Sequence, residues 1–109
     1  MVQHIVLFDF SHCPKYDFPI RHFFEQIRLR HRVFRFDSFH CGANCSPELL
    51  DKGYTHAMSM VFENIEDRDR YLTHHEHLDI VKRFLHPLTE QKPERVLVMD
   101  IESEVRGSV

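Results

Sequence analysis

Val2–Phe10, with the sequence VQHIVLFDF, is the segment that decides the fold. β-branched and aromatic residues dominate it, and both of its alternating faces are apolar, which is typical of a strand covered on both sides. A loop over Ser11–Asp17, marked by Pro14, follows it. Beyond the loop the apolar period changes to that of one helical stripe, formed by Ile20, Phe23, Phe24 and Ile27. The first thirty residues therefore predict a strand followed by an amphipathic helix.

The middle of the chain returns to strand composition. Arg32–His40 (RVFRFDSFH) favours a strand, although its alternation is imperfect. The sequence Ser-Pro-Glu at 46–48 predicts a short helical turn, because serine can cap a helix and proline is favoured at the first helical position. Gly53 ends that turn, and Tyr54–Phe62 predicts a strand with two distinct faces.

The last third predicts helices and a closing strand. Asn64 is expected to cap a helix that runs through Tyr71 to about Thr73. Arg95–Ile101 (RVLVMDI) is the last strand. Between them lies a second helical stripe, whose end Pro87 is expected to bend, formed by His77, Val81, Phe84, Leu85 and Leu88. The order β-α-β-β-α-β predicts an α+β, ferredoxin-like protomer with a four-stranded antiparallel sheet.

One face of such a sheet is left without helices, and here that face is also apolar. A second copy of the same sheet would cover it, which gives a dimeric α+β barrel with a two-fold axis. At about 25 cal/mol per Å² of apolar area, an uncovered face would forfeit much of the available stabilisation. We therefore expect a homodimer of one domain spanning residues 1–103, with 104–109 as a flexible tail.

Composition excludes several function classes. The chain has 109 residues, 42% apolar and 28% charged, which is ordinary for one globular domain. Its net charge of −3 offers no basic surplus for nucleic acid, and no apolar run reaches the roughly 20 residues of a membrane span. The N-terminus does not have the pattern of a signal peptide. Three cysteines, an odd number, favour free thiols in a reducing cytoplasm.

Tyr71 and His77 are the candidate acid–base pair. Six residues of uninterrupted helix would place them about 120° apart, so they converge only if the helix breaks between them. Three adjacent residues of the run Thr73-His74-His75-Glu76 are poor helix formers, which makes such a break plausible. A tyrosine hydroxyl and an imidazole in one cavity can act as acid and base. The alternative is a surface histidine cluster beside a tyrosine that anchors the helix to the sheet.

His4 and His56 lie on predicted strands among apolar neighbours. They are either core histidines with satisfied nitrogens or polar points in an apolar cavity, as a ligand site needs. Asp100 interrupts the last strand and either orients a histidine or lies at the strand end in water.

Metal and cofactor signals are weak. His74 and His77 have the spacing HxxH, but no third ligand follows at a reliable distance, and no phosphate-binding glycine motif is present. We expect no metal and no cofactor.

Four segments carry a resemblance to a known family: HIVLF at 4–8, GANCSPE at 42–48, KGYTH at 52–56 and YLTHHEH at 71–77. Together they resemble the stress-responsive A/B barrel (Dabb) family, a branch of the dimeric α+β barrel superfamily. The resemblance covers almost the whole chain. The family includes plant stress-associated proteins and olivetolic acid cyclase, a cofactor-free polyketide cyclase that performs an intramolecular aldol condensation.

The resemblance implies roles for particular residues. Tyr71 and His77 match the catalytic pair of the cyclase, His4 and His56 match the histidines of its pocket, and Asp100 matches its acidic residue. The family usually has His-Pro where this chain has His-His at 74–75.

The function implied is that of a cofactor-free enzyme acting on a small, apolar β-keto or phenolic substrate, polyketide-derived. Its pocket would be shaped by Phe8, Phe23, Ile27, Met58 and Phe84. The alternative is a non-catalytic, stress-associated homodimer that binds a hydrophobic metabolite or a partner; a metal- or haem-handling barrel is weaker. A catalyst needs an open cavity at Tyr71 and His77, whereas a structural dimer would fill that volume with side chains.

Overall fold

One antiparallel sheet organises the protein in a computed structural model that describes residues 1–13 and 17–103. Within those residues the sheet has four strands in the order β2-β3-β1-β4, which confirms the predicted ferredoxin-like α+β architecture. The strands are β1 (Val2–Phe8), β2 (Phe36–Ala43), β3 (His56–Phe62) and β4 (Val96–Glu102).

Helical segments cover one face of this sheet. They are α1 (Phe18–Arg28), α2 (His31–Phe34), α3 (Ile65–Thr73), α4 (His75–Ile80), a π-helical turn (Val81–Leu85), α5 (His86–Thr89) and a 3₁₀ turn (Pro93–Arg95). The predicted stripe of α1 is buried along its whole length. The predicted cap of α3 also forms, since Asn64 Oδ1 accepts the backbone N–H of Asp67 at 2.8 Å.

The core lies between these helices and the sheet. Alternate residues of β1 and β3 point into it, including Val6, Phe8, Met58, Met60 and Phe62. This alternation is the period of a strand with one covered face.

Two predicted elements were wrong. The predicted strand over Arg32–His40 begins as helix α2, and β2 starts only at Phe36. Phe34 is fully buried against the ring of Tyr71, so its aromatic side chain packs from a helical turn rather than from a strand. Arg35 then takes a positive φ of 61°, which ends the helix.

The predicted helical turn at 46–48 is also absent, and that segment forms turns instead. Asn44 Oδ1 accepts the backbone N–H of Ser46 at 2.9 Å, and Ser46 Oγ accepts that of Glu48 at 3.3 Å. These local side-chain bonds compete with a helix for the same N–H groups. Gly53 follows in a turn with φ 91°.

Other boundaries shift less. β1 ends at Phe8 rather than at Phe10, and β3 starts at His56 rather than at Tyr54. The stripe from His77 to Leu88 is divided among α4, the π-helical turn and α5, with Pro87 in the first turn of α5. Proline has no N–H to continue the helical ladder, which explains a new helix at this point. Pro14 and the tail predicted over 104–109 lie outside the described residues.

Within residues 1–13 and 17–103, no helix covers the second face of the sheet. On β4 that face carries Leu97, Met99 and Ile101, which are 36%, 59% and 46% exposed. None of the helices in the described part of the chain is both long and apolar enough to cross a membrane.

Candidate functional site

A break between α3 and α4 brings two predicted site residues together. His74 is extended, with φ −65° and ψ 133°, and stands between the two helices. Its Nδ1 accepts the backbone N–H of Glu76 at 3.1 Å, so its imidazole caps α4. The break therefore forms without a proline. It places the rings of Tyr71 and His77 with their centroids 4.1 Å apart at an angle of 40°.

Tyr71 lies in a cage of rings. It is 1% exposed and contacts Phe34, Phe62 and His4 at centroid distances of 5.0, 5.3 and 5.7 Å. Burial raises the pKa of Tyr71 above its ordinary value. The hydroxyl therefore keeps its proton at neutral pH and can donate a hydrogen bond.

His77 has the complementary chemistry. Burial lowers its pKa to about 4, although the backbone carbonyl of Leu72 opposes the shift. Nδ1 lies 3.3 Å from that carbonyl oxygen, which can only accept, so Nδ1 carries the proton of the neutral ring. Nε2 then carries a lone pair, and at neutral pH the imidazole can accept a proton.

His4 is oriented by Asp100, one of the two possibilities left open for that carboxylate. The two residues lie directly opposite each other on β1 and β4, and His4 Nδ1 is 2.6 Å from Asp100 Oδ1. The other carboxylate oxygen, Oδ2, accepts from Nη1 of Arg68 at 2.5 Å. Arg68 was missed in the sequence. Its position three residues before Tyr71 puts both on one face of α3, which is the signal that could have identified it.

His56 does not join this group. It pairs across the sheet with Phe8, whereas His4 pairs with Met60. The four residue steps from His4 to Phe8 separate the two histidines by roughly 13 Å along the sheet. His56 instead contacts Phe10 and Phe24, and its Nδ1 lies 2.8 Å from Thr55 Oγ1.

A cavity opens beside His56. Its volume is about 360 Å³, and it is lined by Asp17, Ile20, Arg21, Phe24, Cys41, Gly42, Ala43 and His56. Burial lowers the pKa of His56, so its imidazole is neutral at pH 7. The cavity thus combines apolar walls with a neutral imidazole, as a small organic ligand requires.

The residues predicted to shape the pocket are mostly core residues. Phe8, Phe23 and Ile27 are each 1% exposed, and Met58 is 3% exposed. Phe84 is partly buried against this core. Phe8 and Phe23 pack edge to face at 5.6 Å. Phe34, Phe62 and His4 occupy the volume next to Tyr71, and the cavity of about 360 Å³ lies instead at the His56 end of the sheet.

Within the described residues, one group of neighbouring side chains has atoms that can ligate a metal ion. The donor atoms of His74, His75 and Glu76 lie within 4.8 Å of one another. However, the carboxylate of Glu76 faces Arg30 at 3.5 Å, and one nitrogen of His74 is occupied by the α4 cap. His77, considered with His74 in the sequence, faces Tyr71 instead. We assign no ion to these side chains.

The chain is similar to known proteins in sequence and in fold. A family model described as the stress responsive A/B barrel domain matches residues 2–103. Among curated proteins, none matches the chain.

Solved structures share the fold over nearly the whole chain. The protein At3g17210 from Arabidopsis thaliana is 25% identical, with a TM-score of 0.80 and coverage of 99% of this chain and 100% of that one. A hydroxynitrile lyase from Passiflora edulis is 18% identical, with a TM-score of 0.75 and coverage of 97% and 96%. A dimeric protein of unknown function from Bacteroides fragilis is 24% identical, with a TM-score of 0.69 and coverage of 94% and 95%.

Proposed function

The chain belongs to the stress-responsive A/B barrel (Dabb) family, and from that premise we propose that it is a cofactor-free enzyme. Its substrate is a small, apolar β-keto or phenolic compound of polyketide type, and its reaction is that of a cyclase or a related lyase. The observation that carries this proposal is the contact between a protonated, buried tyrosine, Tyr71, and a neutral, partly buried histidine, His77.

The chemistry follows from these protonation states. Nε2 of His77 removes a proton from a carbon flanked by carbonyl groups, and the electron pair moves onto a carbonyl oxygen. The hydroxyl of Tyr71 donates a hydrogen bond to that oxygen as it becomes an enolate or alkoxide. Because burial disfavours the imidazolium form of His77, the proton returns to the intermediate in the next step.

Neighbouring groups have supporting roles in this proposal. His4, held by Asp100, presents its free Nε2 to a hydroxyl or an enol of the substrate. The cavity beside His56 takes the apolar part of the substrate, which must displace side chains to reach Tyr71. The Passiflora edulis neighbour indicates that this fold can support lyase chemistry, although fold likeness alone does not assign a reaction.

The test is turnover of a panel of poly-β-keto thioesters by purified wild type and four variants. Tyr71→Phe removes one oxygen and should reduce turnover about 10²–10³-fold if the hydroxyl stabilises an oxyanion. His77→Ala should reduce it to a similar extent, and the double variant should not be additive, because the two groups act as one unit. His75→Ala is the matched control and should be nearly silent, since His75 is exposed.

Equal turnover in wild type and Tyr71→Phe contradicts the catalytic role. A large loss in His75→Ala with none in His77→Ala would show that a different histidine of this segment is the base.

The alternative is a non-catalytic homodimer that binds a hydrophobic metabolite. The packed rings around Tyr71 favour it, because they leave the open cavity at His56 instead. Calorimetric titration with an aromatic ligand separates the two functions. Binding that Ala43→Leu weakens in the lining of the His56 cavity, without turnover of any β-keto substrate, would support the alternative.

We also propose that residues 1–103 form one domain that assembles as a homodimer through the uncovered sheet face. The exposed apolar row on β4 supports this, as does the dimeric Bacteroides fragilis neighbour. The thiols of Cys13, Cys41 and Cys45 are unpaired, which is compatible with the reducing cytoplasm that we propose as the location.

A further inference from the structure

Arg68 connects the helix that carries Tyr71 to the strand that carries Asp100. Its Nη1 donates to Asp100 Oδ2 at 2.5 Å, and its Nε donates to Asp69 Oδ1 at 2.9 Å. The side chains of Arg68 and Asp100 are only 20% and 17% exposed, whereas that of Asp69 is 62% exposed. The contact with Asp100 is therefore the more shielded of the two and the stronger.

The contacts close a ring of four side chains. Arg68 binds one oxygen of Asp100, the other oxygen lies on Nδ1 of His4, and the His4 ring packs edge to face on Tyr71 at 5.7 Å. Arg68 and Tyr71 lie on the same face of α3, so one helix holds both ends of the ring. Asp100 cannot turn away from His4 without losing Arg68.

The charges around His4 also support a role for Arg68. The groups that face His4 are Asp100 from β4, Arg68 and Tyr71 from α3, and His77 from α4. The opposite charges of Arg68 and Asp100 offset each other. Without the guanidinium, the half-buried carboxylate of Asp100 would carry an uncompensated charge, which favours turning toward solvent and away from the 4% exposed imidazole of His4.

We propose that Arg68 is a positioning residue: by holding Asp100, it fixes the orientation and the tautomer of the His4 ring, with a proton on Nδ1 and the lone pair on Nε2 beside Tyr71. The use of that lone pair in catalysis rests on the proposed function. The tautomer of His4 does not, since it follows from the contacts of the free protein.

The test is the long-range ¹H–¹⁵N spectrum of histidine-labelled protein at pH 7, which distinguishes the two neutral tautomers from the imidazolium. The signals of His4 are assigned from their loss in His4→Gln. Wild type should show one tautomer of His4, with the proton on Nδ1. Arg68→Met should lose that signature, because Asp100 is then free to turn away from Nδ1 of His4.

Three further variants sharpen the result. Arg68→Lys keeps the charge and should restore the wild-type signature. Asp69→Asn removes the exposed partner of Arg68 and should leave the signature unchanged. If Arg68→Met does not fold, Arg68→Gln, which keeps a donor but no charge, should show the same loss as expected for Arg68→Met.

An unchanged Nδ1–H tautomer in a folded Arg68→Met or Arg68→Gln protein overturns the proposal. The same variants in the turnover assay should lower kcat with little change in KM, and Asp69→Asn should do neither. Because the spectra need no substrate, a protein without turnover but with the expected spectra would refute the enzyme and leave the role of Arg68 intact.

Discussion

Tyr71 and His77 place their rings 4.1 Å apart although they belong to different helices, and the one extended residue His74 makes this contact possible. A continuous helix would have turned the two side chains to different faces. The family resemblance predicts a proline next to this point, where the chain has His75. The side chain of His74 caps α4 here. Its hydrogen bond starts a new helix at this position, as a proline would by removing an N–H from the helical ladder.

The ring of Tyr71, more than its hydroxyl, should stabilise the fold. Tyr71→Phe should change the free energy of unfolding by about 1 kcal/mol or less, whereas Tyr71→Ala should cost about 3–5 kcal/mol because it empties the space among four rings. Urea unfolding measures both. Leu72→Ala, at the next and exposed position of the same helix, is the control. Equal losses in Tyr71→Ala and Leu72→Ala would contradict the burial of this ring.

Acid should destabilise the protein through His77. Its pKa is about 4 in the folded protein against an ordinary 6.5, so below pH 6.5 the unfolded chain binds the proton more readily. The contribution of this neutral ring to stability is complete above pH 6.5 and is lost as pH falls toward 4. His56, whose pKa is also lowered, acts in the same direction.

The measurement is the urea midpoint at pH 7 and at pH 4.5. His77→Gln should show a smaller drop between the two than wild type does, and exposed His75→Gln should show the wild-type drop. An identical pH dependence in wild type and His77→Gln would mean that His77 is not desolvated.

The homodimer should depend on one face of β4 and not on the other. Met99 and Val98 are adjacent and similarly exposed, at 59% and 56%, but they point to opposite faces of the sheet. Met99→Glu places a charge on the face that we expect to be covered and should give a monomer by light scattering. Val98→Glu, on the helical side, should remain a dimer. A monomeric wild type at micromolar concentration would remove the basis of this prediction.

The three cysteines should be free and should differ in reactivity. Cys13 is half-buried, and its thiol donates to the carbonyl of Leu88 at 3.3 Å. Burial raises the pKa of Cys13 and also that of Cys41. Cys45 is exposed in a loop, so iodoacetamide should modify it first. Mass spectrometry without reductant follows the order of modification. A Cys41–Cys45 disulfide in protein purified from a reducing cytosol would contradict the expectation.

Local signals made part of this structure predictable. The stripe of α1 and the Asn64 cap of α3 each depend on residues within a few positions of one another, so their pattern is visible in the sequence. The boundary between α2 and β2 is different. It is set by the burial of Phe34 against Tyr71, which lies far along the chain and leaves no mark on the residues around Phe34.

Part of the candidate site was likewise predictable from the sequence, and part was not. The convergence of Tyr71 and His77 could be stated as a condition, because a break between them was visible in the polar run. Which group would bind Asp100 could not be stated, because it requires the register of β1 against β4 and the rotation of α3. In the structure, His4 and Arg68 bind the two carboxylate oxygens of Asp100, and His56 lies at a separate cavity.

The π-helical turn over Val81–Leu85 makes the orientation of His77 depend on the number of residues between His77 and Leu85. Such a turn accommodates one residue more than an α-helix does, while the helices on either side keep their phase. Deleting one residue inside it should therefore convert it to a regular helix and leave α4 facing the sheet as before. A second deletion between His77 and Leu85 would find no extra residue to remove, so it would rotate His77 by about 100° relative to Leu85 and Leu88 and turn it away from Tyr71. This stretch thus tolerates the loss of one residue and not of two.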